Sequence, residues 1–151
     1  MSRWQWKLVA KASQRGRLNQ RKGQYHECKN GKKLDKLTGF TFARNLEQHR
    51  FADHLDDLLC TNAKLPFLIE NKYRSKGNGI LAEAWDQACR TVRKTGQWPS
   101  VIYQNGRLAI RAHFHMAAIA AAQGGLSSLV GTADLSLEDF AGLALRLIRI
   151  I

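Results

Sequence analysis

Two short apolar runs, Asp57-Leu58-Leu59-Cys60 and Phe67-Leu68-Ile69-Glu70-Asn71-Lys72, flank a turn-forming segment from Thr61 to Pro66. Runs of this length bounded by polar and proline residues read as strands, and the gap between them reads as a turn. With Cys60 opposite Phe67, the antiparallel register sets Leu59 against Leu68 and Asp57 against Glu70. Side chains opposite each other share a face of the sheet. One face then carries Leu58, Cys60, Phe67 and Ile69. The other carries Leu59 and Leu68, with Asp57, Glu70 and Lys72 gathered at one end. Like charges directly opposite destabilise a strand pair unless something positive lies between them. A divalent metal ion meets that need, with Lys72 beside it. A slip of one residue in the hairpin would make Asp56 the ligand in place of Asp57, but would bury Asp57 beside Ile69.

Beyond the hairpin, the charge is the informative part of the composition. The chain of 151 residues is of single-domain size, and its formal charge is +12. Residues 1–95 hold 20 of the 24 Lys and Arg and 9 of the 12 acids, a net of +11, whereas residues 96–151 hold 4 and 3, a net of +1. A field this lopsided points to a polyanion, most simply nucleic acid. Cys28, Cys60 and Cys89 have no CxxC spacing, so neither a disulfide framework nor a zinc site is expected, and a reducing compartment fits. The start of the chain has no secretory pattern and Met116–Ala122 is too short to span a bilayer. The expectation is a cytoplasmic protein without membrane contact.

In chain order, residues 1–18 form a basic arm that includes Arg15 and Arg17, with Trp4 and Trp6 suited either to stacking on bases or to docking the terminus. A helix is expected over 19–37, with Asn30-Gly31 as a possible break. Phe40–Arg44 reads as a strand, 45–54 as a loop or short helix, and Arg74–Gly79 as a basic glycine-rich loop. The spacing of Leu81, Ala84, Trp85, Ala88 and Val92 predicts a helix from Ile80 to Lys94, ended by Gly96. Ser100–Gln104 and Arg107–His115 read as strands joined by a two-residue turn at Asn105-Gly106. His113 and His115 share a strand face without a third ligand nearby, the pattern of a polar face. Residues 116–135, rich in Ala, Gly and Ser, read as a linker or a poorly specified segment. Ser136 caps a final helix with Asp139 three residues on and Phe140, Leu143, Ala144 and Leu147 as its buried stripe.

The resulting order of helix, strand, hairpin, helix and strand resembles the αβββαβ core of the PD-(D/E)XK nucleases. The superfamily motif, an acid opening the second strand and Glu-x-Lys closing the third, is matched by Asp57 and by Glu70-Asn71-Lys72. Lys22-Gly23 and Glu27 resemble the first-helix pattern of Holliday-junction-resolvase-like and small phage-type nucleases, and Gln87 resembles a glutamine that many relatives carry on the next helix. The resemblance spans about residues 20–112. It implies an α/β, restriction-endonuclease-like core at 19–115, preceded by the basic arm 1–18. Residues 116–151 would follow as a linker and an extra C-terminal helix packed on the core or at a dimer interface.

It further implies a Mg²⁺-dependent deoxyribonuclease, with Mn²⁺ able to substitute. Asp57, Glu70 and the Asn71 backbone carbonyl would hold the metal, a hard cation that takes few carboxylates and keeps several waters. Lys72 would orient the attacking water or stabilise transition-state charge. Glu27 would support the metal or its water, and Gln87 would hold the water or Lys72. Arg15, Arg17, Arg21, Lys22, Arg74 and Lys76 would contact DNA. The competing expectation is a basic nucleic-acid-binding module without catalysis, in which Asp57, Glu70 and Lys72 form a cross-strand ion-pair cluster.

Overall fold

The computed structural model describes residues 3–46, 57–62, 64–75, 82–122 and 131–150. Asp56, Lys76, Ile80, Leu81 and most of the 45–54 loop lie outside these residues. Among the described residues the protein is a mixed α/β fold of a six-stranded, mostly antiparallel sheet with four helices. Helix α1 (Arg3–Thr38) leads into β1 (Phe42–Arg44), β2 (Leu58–Cys60) and β3 (Phe67–Arg74). Helix α2 (Ala82–Thr95) crosses over to β4 (Trp98–Asn105), followed by β5 (Arg111–His115), α3 (Ala117–Ala122), β6 (Thr132–Ser136) and α4 (Leu137–Ile150). The strands lie side by side in chain order. Among the described strands only β3 and β4 run parallel, because a parallel pair needs a long crossover and α2 supplies it.

The hairpin holds the register its sequence implies: Leu58 pairs with Ile69. Leu58, Phe67 and Ile69 are buried on one face, with Phe42, Ile102, Ala112 and Phe114 beside them, under Leu34 of α1 and the Leu137, Phe140, Ala141, Leu143, Ala144 and Leu147 stripe of α4. Leu68, Val101 and Tyr103 face the other way and are covered by Ala84, Ala88, Trp85 and Val92 of α2. The sheet is therefore a middle layer with helices on both faces. Ser136 caps α4 by accepting from the Asp139 N–H at 3.0 Å and donating to its carboxylate at 2.7 Å. Helix α4 packs on the core, one of the two placements expected for it.

Three local expectations need correction. The Asn30-Gly31 pair does not break its helix, and residues 3–18 continue it, so α1 runs unbroken for 36 residues. Both residues face the sheet: Asn30 is buried and hydrogen-bonded to Asn71, and a Cβ on Gly31 would lie 3.4 Å from the Phe42 carbonyl. A turn signal is overridden by packing that needs a small residue and a polar one there.

The second correction concerns Asn105-Gly106, which does not make a two-residue hairpin. Tyr103 pairs with Arg111, and the returning strand begins at Arg111 instead of Arg107. Gly106, at φ 57°, instead donates its N–H to the Arg74 carbonyl at 2.6 Å, tying this turn to the end of β3. Third, residues 116–135 are not simply a linker, since they contain α3 and most of β6, which pairs with β5 along Arg111–His115. The histidines of β5 are held locally. His113 Nδ1 lies 3.2 Å from Asp134, with the ring against Trp85, and His115 Nδ1 accepts from the Ala117 N–H.

Candidate functional site

Strand β2 is short, and β3 outlasts it. Asp57, just before β2, donates its N–H to the Ile69 carbonyl at 3.0 Å, the last backbone bond between these two segments among the described residues. Its side chain then takes over from the backbone: Asp57 Oδ2 accepts the Asn71 N–H at 2.6 Å. This bond explains why an acid stands at the mouth of the hairpin, since a carboxylate satisfies a strand N–H that has lost its partner strand. It also holds the Asp57 carboxylate against the stretch Glu70-Asn71-Lys72.

Glu70 is completely buried, an exceptional position for a carboxyl group. Lys72 Nζ contacts Glu70 Oε1 and stands 4.0 Å from Asp57 Oδ2. Glu70 Oε2 finds no donor among the described residues. Burial first, and the nearby Asp57 charge second, push the Glu70 carboxyl up to about 8, with Lys72 pulling the other way. Burial works against a charged Lys72, but Glu70, Asp57 and Glu27 outweigh it and hold its pKa above the ordinary value.

A cleft of about 570 Å³ opens over this edge of β3. Helix α1 forms one wall with Asn19, Lys22, Gly23 and Glu27, and Asp57, Asn71, Lys72, Tyr73 and Arg74 form the other; Glu70 does not line the cleft itself but is buried against Lys72, which does. Glu27 is clasped by Arg44 of β1. The Asn30 amide donates to Asn71 Oδ1 at 2.6 Å, so Asn71 joins α1 to the Asp57 carboxylate through its side chain and its backbone.

The structure thus gathers Asp57, Glu70, Asn71, Lys72, Glu27, Lys22 and Arg74 in one place. Gln87 is half-buried on α2 and does not line the cleft. Arg15, Arg17 and Arg21 are exposed on α1, on the stretch that leads to Lys22 of the cleft. Arg44 and Asn30 also belong to the arrangement, and nothing in the local sequence marks a role for Arg44. For Asn30 one signal exists: it follows Gly23 and Glu27 at helical spacing, on the face that α1 turns to the sheet.

The donor set suits a hard divalent cation better than a soft one. Two adjacent carboxylates, one of them buried with an oxygen lacking a donor, match the one or two carboxylates and several waters that Mg²⁺ takes. Among the described residues no three His, Cys, Asp or Glu form a group able to hold a metal ion, so the candidate ligands are the two carboxylates of Asp57 and Glu70 alone. The Lys72 ammonium is the positive charge now seated against these acids. No family model, curated protein or solved structure matches this chain. No helix among the described residues is long and apolar enough to cross a membrane.

Proposed function

We propose that this protein is a divalent-metal-dependent nuclease that hydrolyses phosphodiester bonds in DNA. One observation carries the reading: Asp57, Glu70 and Lys72 converge under a cleft whose opposite wall is a strongly basic helix. The element order α1-β1-β2-β3-α2-β4, with the Glu-x-Lys triplet inside β3, supports a restriction-endonuclease-like core, to which β5, α3, β6 and α4 are additions.

Asp57 and Glu70 would hold Mg²⁺ or Mn²⁺, with the Asn71 backbone carbonyl as a further oxygen. When bound, the ion supplies a water of lowered pKa and positive charge against the phosphate. The protein's own groups do the rest. The Asn71 N–H orients Asp57. Lys72, an ammonium held beside both carboxylates, stabilises charge that develops on the phosphate in the transition state. Arg44 steadies Glu27 at the wall of the cleft, while Lys22 and Arg74 meet the flanking phosphates. Gln87 receives no role.

Cleavage of labelled duplex, single-stranded, flapped and four-way-junction DNA with Mg²⁺ tests the proposal. Asp57→Ala and Lys72→Ala should each abolish product, with an unchanged circular dichroism spectrum; wild-type cleavage by both overturns it. Paired symmetric nicks in a four-way junction would add a two-fold dimer to the reading. The ion pairs themselves favour one alternative. Glu70 and Glu27 already have Lys72 and Arg44 as partners, as a non-catalytic nucleic-acid-binding module would need. That alternative requires salt-sensitive binding without product, and no Mg²⁺ uptake at millimolar concentration in a calorimetric titration.

A further inference from the structure

Three aromatic rings run from the cleft to the surface of α1. Tyr73, a cleft residue one position past Lys72, stacks on His26 with ring centroids 3.7 Å apart and planes 10° from parallel. His26 in turn meets Tyr25 edge-on at 5.3 Å. Burial, and then the Lys29 charge, lower the His26 pKa. Tyr25 at the outer end is 65% exposed. Leu18, two helical turns earlier on the same face, is 49% exposed. Around these two apolar groups stand Arg21, Lys22, Lys29 and Lys32, all exposed.

An aromatic ring left in water among cations, beside a site for phosphates, fits one kind of partner. A duplex offers its phosphates but keeps its bases stacked inside. An unpaired strand offers both phosphates and the flat face of a base. We infer that the substrate carries an unpaired nucleotide next to the bond that is cut, and that Tyr25 stacks on its base. Tyr25 then selects single-stranded, flapped or branched DNA over blunt duplex, with Arg21, Lys22 and Lys29 on the adjoining phosphates. The inference rests on the nuclease reading for the position of the cut, but its binding component can be measured without catalysis.

The test uses the full chain in EDTA with oligonucleotides bearing 2-aminopurine, presented single-stranded, as a duplex with a single-stranded tail, and as a blunt duplex. The wild type should bind the first two more tightly and quench their fluorescence. Tyr25→Ala should weaken binding to them by about tenfold while changing blunt-duplex binding by less than about twofold, the range expected for losing one base–aromatic stack. Tyr25→Trp should restore the preference. Equal effects of Tyr25→Ala on all three DNAs, no effect on any, or undiminished quenching would overturn the inference. So would a fall in the mass at sedimentation equilibrium for Tyr25→Ala, which would make this face a contact between two copies of the chain. Absence of product from every substrate with Mg²⁺ would remove the nuclease reading alone, since the binding data contain no cleavage step.

Discussion

Glu70 is the residue at which the energetics of this protein can be read most directly. A fully buried carboxyl beside a second carboxylate is costly to ionise, and the folded state moves its pKa from 4.5 to about 8. Below pH 4.5 both folded and unfolded chains carry the proton. Between 4.5 and about 8 the unfolded chain has lost it while the folded chain keeps it. The unfolded state binds fewer protons in this window, so stability falls as pH rises through it and levels off above. Lys72, held above its ordinary value, titrates beyond the window. In metal-free buffer, the denaturant-derived stability of the wild type should drop by roughly 2–5 kcal/mol relative to Glu70→Gln between pH 4.5 and pH 8.5. Identical pH profiles for the two proteins would show that Glu70 ionises freely in the fold. A buried acid without a donor on Oε2 costs the core stability, and under the nuclease proposed above that cost would be the condition for holding a cation.

At the level of elements, what the sequence made legible were those whose local and tertiary signals agree. The β2–β3 hairpin is readable because the register that sets Leu58 opposite Ile69 puts Leu58, Phe67 and Ile69 on a common buried face, which a one-residue slip would not, and it also brings Asp57 to Glu70. Helix α2 and the Ser136 cap follow from periodicity and capping chemistry. Asn30-Gly31 and Asn105-Gly106 mislead for one reason: both are turn signals in isolation, and each is committed to a distant partner. Asn30 reaches Asn71, and Gly106 reaches the Arg74 carbonyl. Strand β6 escapes notice because its edge position buries none of its five residues fully. The glycines of α1 make the distinction measurable. Gly16 has open space around its would-be Cβ, so Gly16→Ala should raise helicity and stabilise α1 locally by about 1 kcal/mol. Gly31→Ala gains the same propensity but brings its Cβ to 3.4 Å from the Phe42 carbonyl, the near edge of van der Waals contact, and should bring less of that benefit. Far-UV circular dichroism and amide exchange of the two variants check this, and equal gains would mean that β1 does not press on α1.

For the whole molecule the organising quantity is the placement of charge. Helix α1 is about 54 Å long at 1.5 Å per residue. Its C-terminal half packs on the sheet and on α4, and every residue from 13 to 22 is exposed. A helix that gains no burial there and carries Arg17 and Arg21 at i, i+4 is destabilised by its own like charges. Phosphates would relieve that repulsion, and the stretch leads directly to Asn19 and Lys22 at the rim of the cleft. Among the described residues, two acids at α1 are engaged beyond this stretch: Glu138 pairs with Lys33 across α4 and α1, and Glu27 is held by Arg44. Binding to DNA should therefore weaken steeply with salt, and the steepness should belong to α1. Arg15→Gln or Arg21→Gln, measured on duplex in EDTA, should each reduce the magnitude of the log K against log salt slope by about 1, the release of roughly one counterion. Arg146→Gln, an equally exposed cation on α4, should leave the slope unchanged. If all three variants shifted it alike, the protein would be binding through its net charge and not through this helix, and the alignment of α1 with the cleft would have no part in how DNA is held.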